Sequence, residues 1–418
     1  MNINELLKGV DCACGKFHKC DIENVYVEEN AISRLSLLCE KYNNVLVVCD
    51  ENTFNAAGEQ TIEALKGKTV KIVSFSGKTV VIPNEQVIEK VTAELADIEL
   101  IIGVGSGVIQ DLCKYVSYFN KVPYMVVATA PSMDGYASDG AAMILGGMKV
   151  TVKAGLPRAI VADTLVLKDS PMEMIKAGYG DIIGKYSALN DWKLSRIVNG
   201  EYFCQYIYDT TYQMILNTLQ TAKGLLERKE ESVKALMEAL VIVGVMMSFA
   251  TSSRPASGSE HHLSHFFEIV GIIEDKPYFA HGIDVAYSTI ITAEIREKLV
   301  NTSFPKAQFK DDRENYVKKM ESIYKNVGAS CVELQDKVGN YKKERAQIYL
   351  SNEKEIKEVL KECPTGKEIE EMLALVEMNV DEFYQMYGKE KIEKAVRYAK
   401  DLKDRYSVLW LNYDVFGD

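Results

Sequence analysis

Histidine is scarce in this chain, with only five in 418 residues. A surplus of positive charge is also missing: 49 Lys and Arg stand against 60 Asp and Glu, a net charge of −11. That balance argues against nucleic acid as a partner, because neutralising phosphates takes a basic surface. The longest apolar run, ALVIVGVMMSFA at 239–250, falls short of the roughly 18–20 residues a bilayer crossing needs, so no membrane partner is expected. The amino terminus, MNINELLKGVDCACGK, has neither a basic nor an apolar leader region, which makes the cytoplasm the expected compartment. Internal repeats and low-complexity tracts are absent.

What is present is the composition of a globular protein, 47% hydrophobic and 26% charged, in a chain too long for one ordinary core. Nine cysteines in a cytoplasmic chain are not expected to pair as disulfides. Six are scattered singly and read as core residues or idle thiols. The other three form Cys12-x-Cys14…His18-x-Cys20. A small zinc site is one reading of that set, although the spacing matches none of the common zinc motifs, and a short terminal hairpin is the other.

Short β-rich runs alternate with helical patterns over the first 165 or so residues. Strands are expected at 44–50, 71–77, 98–107 and 123–131, helices near 55–66 and 85–95, and two or three further strands within 148–171. Continuous apolar strands separated by helices imply a parallel sheet covered on both faces. Beyond about 172, periods of three to four dominate, with long helices near 181–197, 204–226, 231–250 and 282–298. From 305 onward the chain reads as helical and charged but carries no motif. The expected division is an α/β domain over 1–170 and an all-helical domain over 171–418.

Four segments carry chemistry. Gly103-Val104-Gly105-Ser106-Gly107 ends a strand and opens a helix, which presents unpaired N–H groups to an anion or serves as a structural turn. It is neither the G-x-G-x-x-G fingerprint nor a P-loop. Asp50 closes the first strand and reads either as a ribose-binding carboxylate or as a helix cap. The run Thr129 to Gly140 leaves the carboxyl end of a buried strand, where open α/β sheets hold their ligands. Finally, Asp181 sits near the start of a long helix, and four of the five histidines, His261, His262, His265 and His281, crowd a single stretch. Histidine is the commonest metal ligand, and the alternative is a pair of helix ends with polar surface histidines. On a helix His261 and His265 share a face, while His262 points about 100° from His261, so one metal cannot take both neighbours. One carboxylate with two imidazoles is a catalytic three-ligand set with an open position.

Taken together, GVGSGVIQD, TAPSMDGYAS, GYGDIIGK and above all SSRPASGSEHHLSH resemble the superfamily of iron-containing alcohol dehydrogenases, glycerol dehydrogenases and dehydroquinate synthases. Within it they most resemble the bacterial sn-glycerol-1-phosphate dehydrogenases, over roughly residues 20–300. The resemblance implies a Rossmann-like parallel-sheet domain followed by an all-α, dehydroquinate synthase-like domain. It implies Asp181, His261 and His281 as metal ligands, with Asp181, His265 and Asp134 against the substrate and the last two catalytic. NAD or NADP would contact Asp50, Gly105, Ser106, Gly107, Val108, Ile109, Thr129, Ala130, Pro131, Ser132 and Ser138. Iron-dependent relatives carry a histidine four residues after the aspartate. Here that position is Lys185, which shifts the expectation from iron to zinc or nickel.

The implied reaction interconverts dihydroxyacetone phosphate and sn-glycerol 1-phosphate, in a homodimer, with Arg254 receiving the phosphate. Glycerol dehydrogenase is the nearest alternative, with the same metal logic and a neutral substrate. A dehydroquinate synthase-like lyase is the more distant one, since it needs a set of basic residues that the histidine region does not show.

Overall fold

The computed structural model describes residues 2–146, 148–310 and 312–417. Met1, Gly147, Asp311 and Asp418, which end or interrupt the two expected domains, lie outside the described residues.

Among the described residues ten strands occur: β1 (Val10–Asp11), β2 (Phe17–His18), β3 (Asn24–Glu28), β4 (Asn44–Asp50), β5 (Thr69–Phe75), β6 (Leu100–Gly105), β7 (Tyr124–Ala128), β8 (Gly140–Leu145), β9 (Met148–Lys153) and β10 (Ala159–Asp163). Six form one all-parallel sheet in the order β3-β10-β7-β6-β4-β5. The apolar runs explain it, since β6, β7 and β10 are buried along their whole length, as a sheet covered on both faces requires. From β4 the chain goes outward to β5 on one side and returns through β6 to β7 and β10 on the other. The crevice between β4 and β6 is therefore the switch point at which such sheets bind ligands.

Six longer helices position the chemistry: α1 (Gly107–Asn120), α2 (Met172–Asn199), α3 (Gln205–Leu226), α4 (Glu230–Ala250), α5 (Ser259–Glu274) and α6 (His281–Val300). Residues 148–171 supply two strands and a short helix, Thr164–Lys168. Two strands escape the sequence reading. One is β3, a five-residue segment at the sheet edge. The other is β8, which pairs with β9 in a separate antiparallel hairpin.

By packing, the chain forms two compact units, Met1–Ile182 with Leu216–Ser252, and Ile183–Ile215 with Ser253–Asp418. The divisions fall inside α2 and α3, so each of these helices runs on unbroken from one unit into the other. A single cut at 170/171 thus describes secondary-structure content rather than packing. The first unit holds the sheet and α4. The expectation that no run suffices to cross a bilayer is corrected here. Helix α4 contains an 18-residue window of mean hydropathy 1.9, of which 78% is buried inside the protein. It is a core helix of its unit, packed so closely on the turn Asp134–Ala137 that a Cβ on Gly244 would lie 2.8 Å from the Asp134 carbonyl oxygen.

The second unit packs α5, α6 and the helices beyond residue 305 around buried polar groups. Arg296 of α6 binds Asp191 at 2.8 Å, and Asp191 in turn accepts the backbone N–H of Val408 at 2.9 Å. Buried charges of this kind persist only when paired and hydrogen-bonded.

Candidate active site

Three segments expected to hold a nucleotide meet at the carboxyl ends of neighbouring strands. Val48 pairs with Gly103, which sets Asp50 level with Gly105, and Gly105 pairs with Ala128, the residue before Thr129. Asp50 is a helix cap: its Oδ1 accepts the Thr53 N–H at 2.8 Å while its own N–H donates to Thr53 Oγ1. Oδ2 stands outside that capping box. Gly105 answers to packing, since a Cβ there would lie 2.7 Å from the Cβ of Ile109. Ser106 is the N-cap of α1 and its side chain makes no capping bond. Ser106, Gly107 and Val108 are half-buried and Ile109 is buried, so an uncapped helix terminus opens at the switch crevice and suits an anion.

The loop from Thr129 to Ser138 is pinned from several directions. Tyr136 donates to the Ala130 carbonyl at 2.7 Å. The fully buried Lys114 of α1 donates to the carbonyls of Gly135 and Gly140 at 2.9 and 2.8 Å and lies 3.4 Å from Ser138 Oγ. Thr129, Ala130 and Pro131 are buried, while Ser132 and Ser138 are half-buried.

Asp181 is fully buried on α2, and its Oδ2 accepts the backbone N–H of Asp134 at 3.0 Å. Two glycines frame it at spacings of three, on one side of the helix. A Cβ on Gly178 would lie 1.8 Å from the Pro131 carbonyl oxygen, and one on Gly184 would lie 2.5 Å from Val285 Cγ1. Such closeness excludes any side chain at either position. Beyond Gly184 the same helix is tied to α5 and α6, where Ser187 Oγ lies 3.0 Å from Ser259 Oγ and 3.1 Å from Thr292 Oγ1.

On α5 and α6 three imidazoles converge. Ring centroids lie 5.0 Å apart for His261 and His281, 5.6 Å for His265 and His281, and 6.2 Å for His261 and His265. His261 and His281 each offer one ligand atom, the two within 4.8 Å of each other. The histidine orientations suit a metal. His261 Nδ1 lies 2.6 Å from Glu260 Oε1, and that carboxylate also accepts the Gly258 N–H at 2.8 Å. Burial alone would raise the Glu260 pKa, but the His261 and Gly258 hydrogen bonds and the Lys185 charge hold it below the usual value. An ionised acceptor fixes the proton on Nδ1 and leaves the Nε2 lone pair for a cation. Ser264 Oγ stands 3.3 Å from His281 Nδ1, in position to do the same there.

His262 is fully buried, outside the ligand group, and burial pushes its pKa well below normal. Arg254 is placed differently from the expectation. It is 4% exposed, grips Glu201 through two bonds of 2.7 and 2.6 Å, and donates to the Tyr406 carbonyl at 2.7 Å. With its charge committed to Glu201, the phosphate-receiving role finds no support in this geometry. Reading by motif also passed over Glu260, Ser264, Gly178 and Gly184. Only Glu260, directly before the first ligand histidine, carried a signal.

A family model described as iron-containing alcohol dehydrogenase matches residues 26–171. A glycerol-1-phosphate dehydrogenase [NAD(P)+] of Geobacillus thermodenitrificans is 36% identical over 300 residues, covering 70% of this chain and 74% of that one. A protein of the same name from Bacillus licheniformis is 28% identical over 413 residues, covering 95% and 90%. Among solved structures, an iron-containing alcohol dehydrogenase from Thermococcus thioreducens superposes with a TM-score of 0.62 at 14% identity, over 96% of this chain and 99% of that one. This last likeness concerns the fold alone.

Proposed function

The chain belongs to the iron-containing alcohol dehydrogenase family, on the side of its glycerol-1-phosphate dehydrogenases, and from that premise we propose that it interconverts dihydroxyacetone phosphate and sn-glycerol 1-phosphate with NAD(H) or NADP(H). The observation that carries the reading is the pair of oriented imidazoles, His261 and His281, with ligand atoms within 4.8 Å of each other, to which the family resemblance adds Asp181. The phosphorylated substrate rests on the names of the relatives.

Asp181, His261 and His281 would hold one divalent ion, which supplies Lewis-acid polarisation of a carbonyl, while the nicotinamide supplies hydride. Lys185, in place of a fourth ligand, favours zinc or nickel over iron. The uncapped start of α1, from Ser106 to Ile109, receives the pyrophosphate. Asp50 turns Oδ2 to the ribose, and Thr129 to Ser132 with Ser138 line the nicotinamide side. Asp134 would hold a substrate hydroxyl, and its backbone N–H fixes one Asp181 oxygen. His265, whose ring neighbours that of His281, carries the proton for the developing alcohol. The family likeness further supports a cytoplasmic homodimer, for which analytical ultracentrifugation is the check.

The test is cofactor oxidation by protein loaded separately with zinc, nickel or iron. Dihydroxyacetone phosphate should be reduced with the zinc or nickel form. Turnover of glycerol with NAD, and none of the phosphate substrate with any metal, would move the assignment to glycerol dehydrogenase.

A further inference from the structure

The amino-terminal hairpin takes no part in the dehydrogenase reading, yet it gathers soft metal ligands. We propose that Cys12, Cys14 and His18 bind a second metal ion of structural kind, zinc by the chemistry of its donors. Their ligand atoms lie within 4.8 Å of one another. A tetrahedral zinc ion, with bonds of about 2.3 Å to sulfur and about 2.0 Å to nitrogen, sets its donors roughly 3.5–3.8 Å apart, so an adjustment of about 1 Å closes the site.

The backbone builds this arrangement. Strands β1 and β2 pair only Val10 with His18 and Asp11 with Phe17. The loop between them is closed by the Cys12 N–H donating to the Lys16 carbonyl at 3.1 Å and the Gly15 N–H to the Cys12 carbonyl at 2.9 Å. Gly15 has φ of +83°, a left-handed conformation that favours glycine. The turn brings the Cys14 N–H to 3.5 Å from Cys12 Sγ.

His18 is 1% exposed and stacks on Phe249 with centroids 5.4 Å apart. Its Nδ1 lies 3.0 Å from the Phe249 carbonyl. A carbonyl can only accept, so the proton sits on Nδ1 and the lone pair on Nε2. Nε2 lies 3.3 Å from Cys14 Sγ. An imidazole oriented from behind by a backbone carbonyl is the usual support of a metal-ligating histidine.

Packing does not account for this group, since Cys12 and Cys14 are half-buried, unlike the seven buried cysteines. Cys20, which shares the sequence cluster, is buried and stands outside the group. Two thiolates and an imidazole are donors of the kind that structural zinc sites use. Strands of two residues are marginal on their own, and a metal cross-link would give this hairpin its stability.

Cobalt(II) substitution tests the proposal without any activity assay. The loaded wild-type protein should show thiolate-to-cobalt charge-transfer absorption in the near ultraviolet, which carboxylate and imidazole ligands cannot give. The band should vanish in the Cys12→Ser/Cys14→Ser variant and persist in Cys20→Ser and in His261→Ala. Metal analysis should find one ion more per wild-type chain than per double-serine chain. Should that variant not fold, alkylation of the wild-type protein decides: zinc should protect Cys12 and Cys14, and a chelator should expose them. No charge-transfer band in the wild type, a band that survives both serines, or alkylation indifferent to zinc overturns the proposal.

Discussion

At His261 the chemistry turns on which ring nitrogen holds the proton, and Glu260 decides it through a bond of 2.6 Å. Replacing an outer partner of this kind typically weakens metal binding by about 10–100-fold, and that is the expectation for Glu260→Gln, read by competition with a zinc chelator. His261→Ala should lose both ion and activity, whereas His262→Ala should keep both. Equal loss in the two variants would mean that the wrong face of α5 has been assigned to the metal. For Arg254→Ala the account expects a structural defect, because the change strands Glu201 and the Tyr406 carbonyl. Glu201 is 31% exposed, so water offsets part of the loss and about 3 kcal/mol is the upper range, read by denaturant titration. KM for the phosphate substrate should not change in the folded fraction. A raised KM with unaltered stability would return Arg254 to the substrate.

Among the elements, α2 depends most on its glycines. It can press on the Pro131 carbonyl and on Val285 only because positions 178 and 184 lack side chains. Gly178→Ala should therefore cost about 1–3 kcal/mol or more by overpacking, seen as a lowered Tm. Because the same carbonyl belongs to the loop proposed to line the nicotinamide, KM for the cofactor should rise with it. These close approaches could not be read from sequence, where a glycine inside a helical pattern only weakens the pattern. The buried strands β4, β6 and β7 were legible because their apolar runs are continuous. The edge strand β3 was not, since NVYVE alternates half-buried and buried residues and gains its pairing only from β10, more than 130 positions away. The expected helix over 55–66 is present in three pieces, Glu51–Thr53, a π-turn at Phe54–Gly58 and Glu59–Ala64.

Across the whole molecule, the sheet and the histidine cluster were readable because each has a local signature, a periodicity or a motif. Residues 305–418 have none, and their part emerges only in three dimensions. Tyr387 donates to Asp284 at 2.8 Å, three residues beyond His281 on α6, and the buried pair of Arg345 and Asp414 closes at 3.2 Å. The carboxy-terminal segment thus braces the helix that carries His281. A chain ending at residue 304 should lose cooperative unfolding of the second unit and bind the catalytic ion at least about 10-fold more weakly, as calorimetry and metal titration would record. The central claim concerns the reaction, and the most direct measurement is the handedness of its product. Zinc- or nickel-loaded protein given dihydroxyacetone phosphate and reduced cofactor should yield sn-glycerol 1-phosphate, which an sn-glycerol-3-phosphate-specific dehydrogenase leaves untouched. Formation of the 3-phosphate enantiomer, or reduction of free dihydroxyacetone in place of its phosphate, would contradict the account.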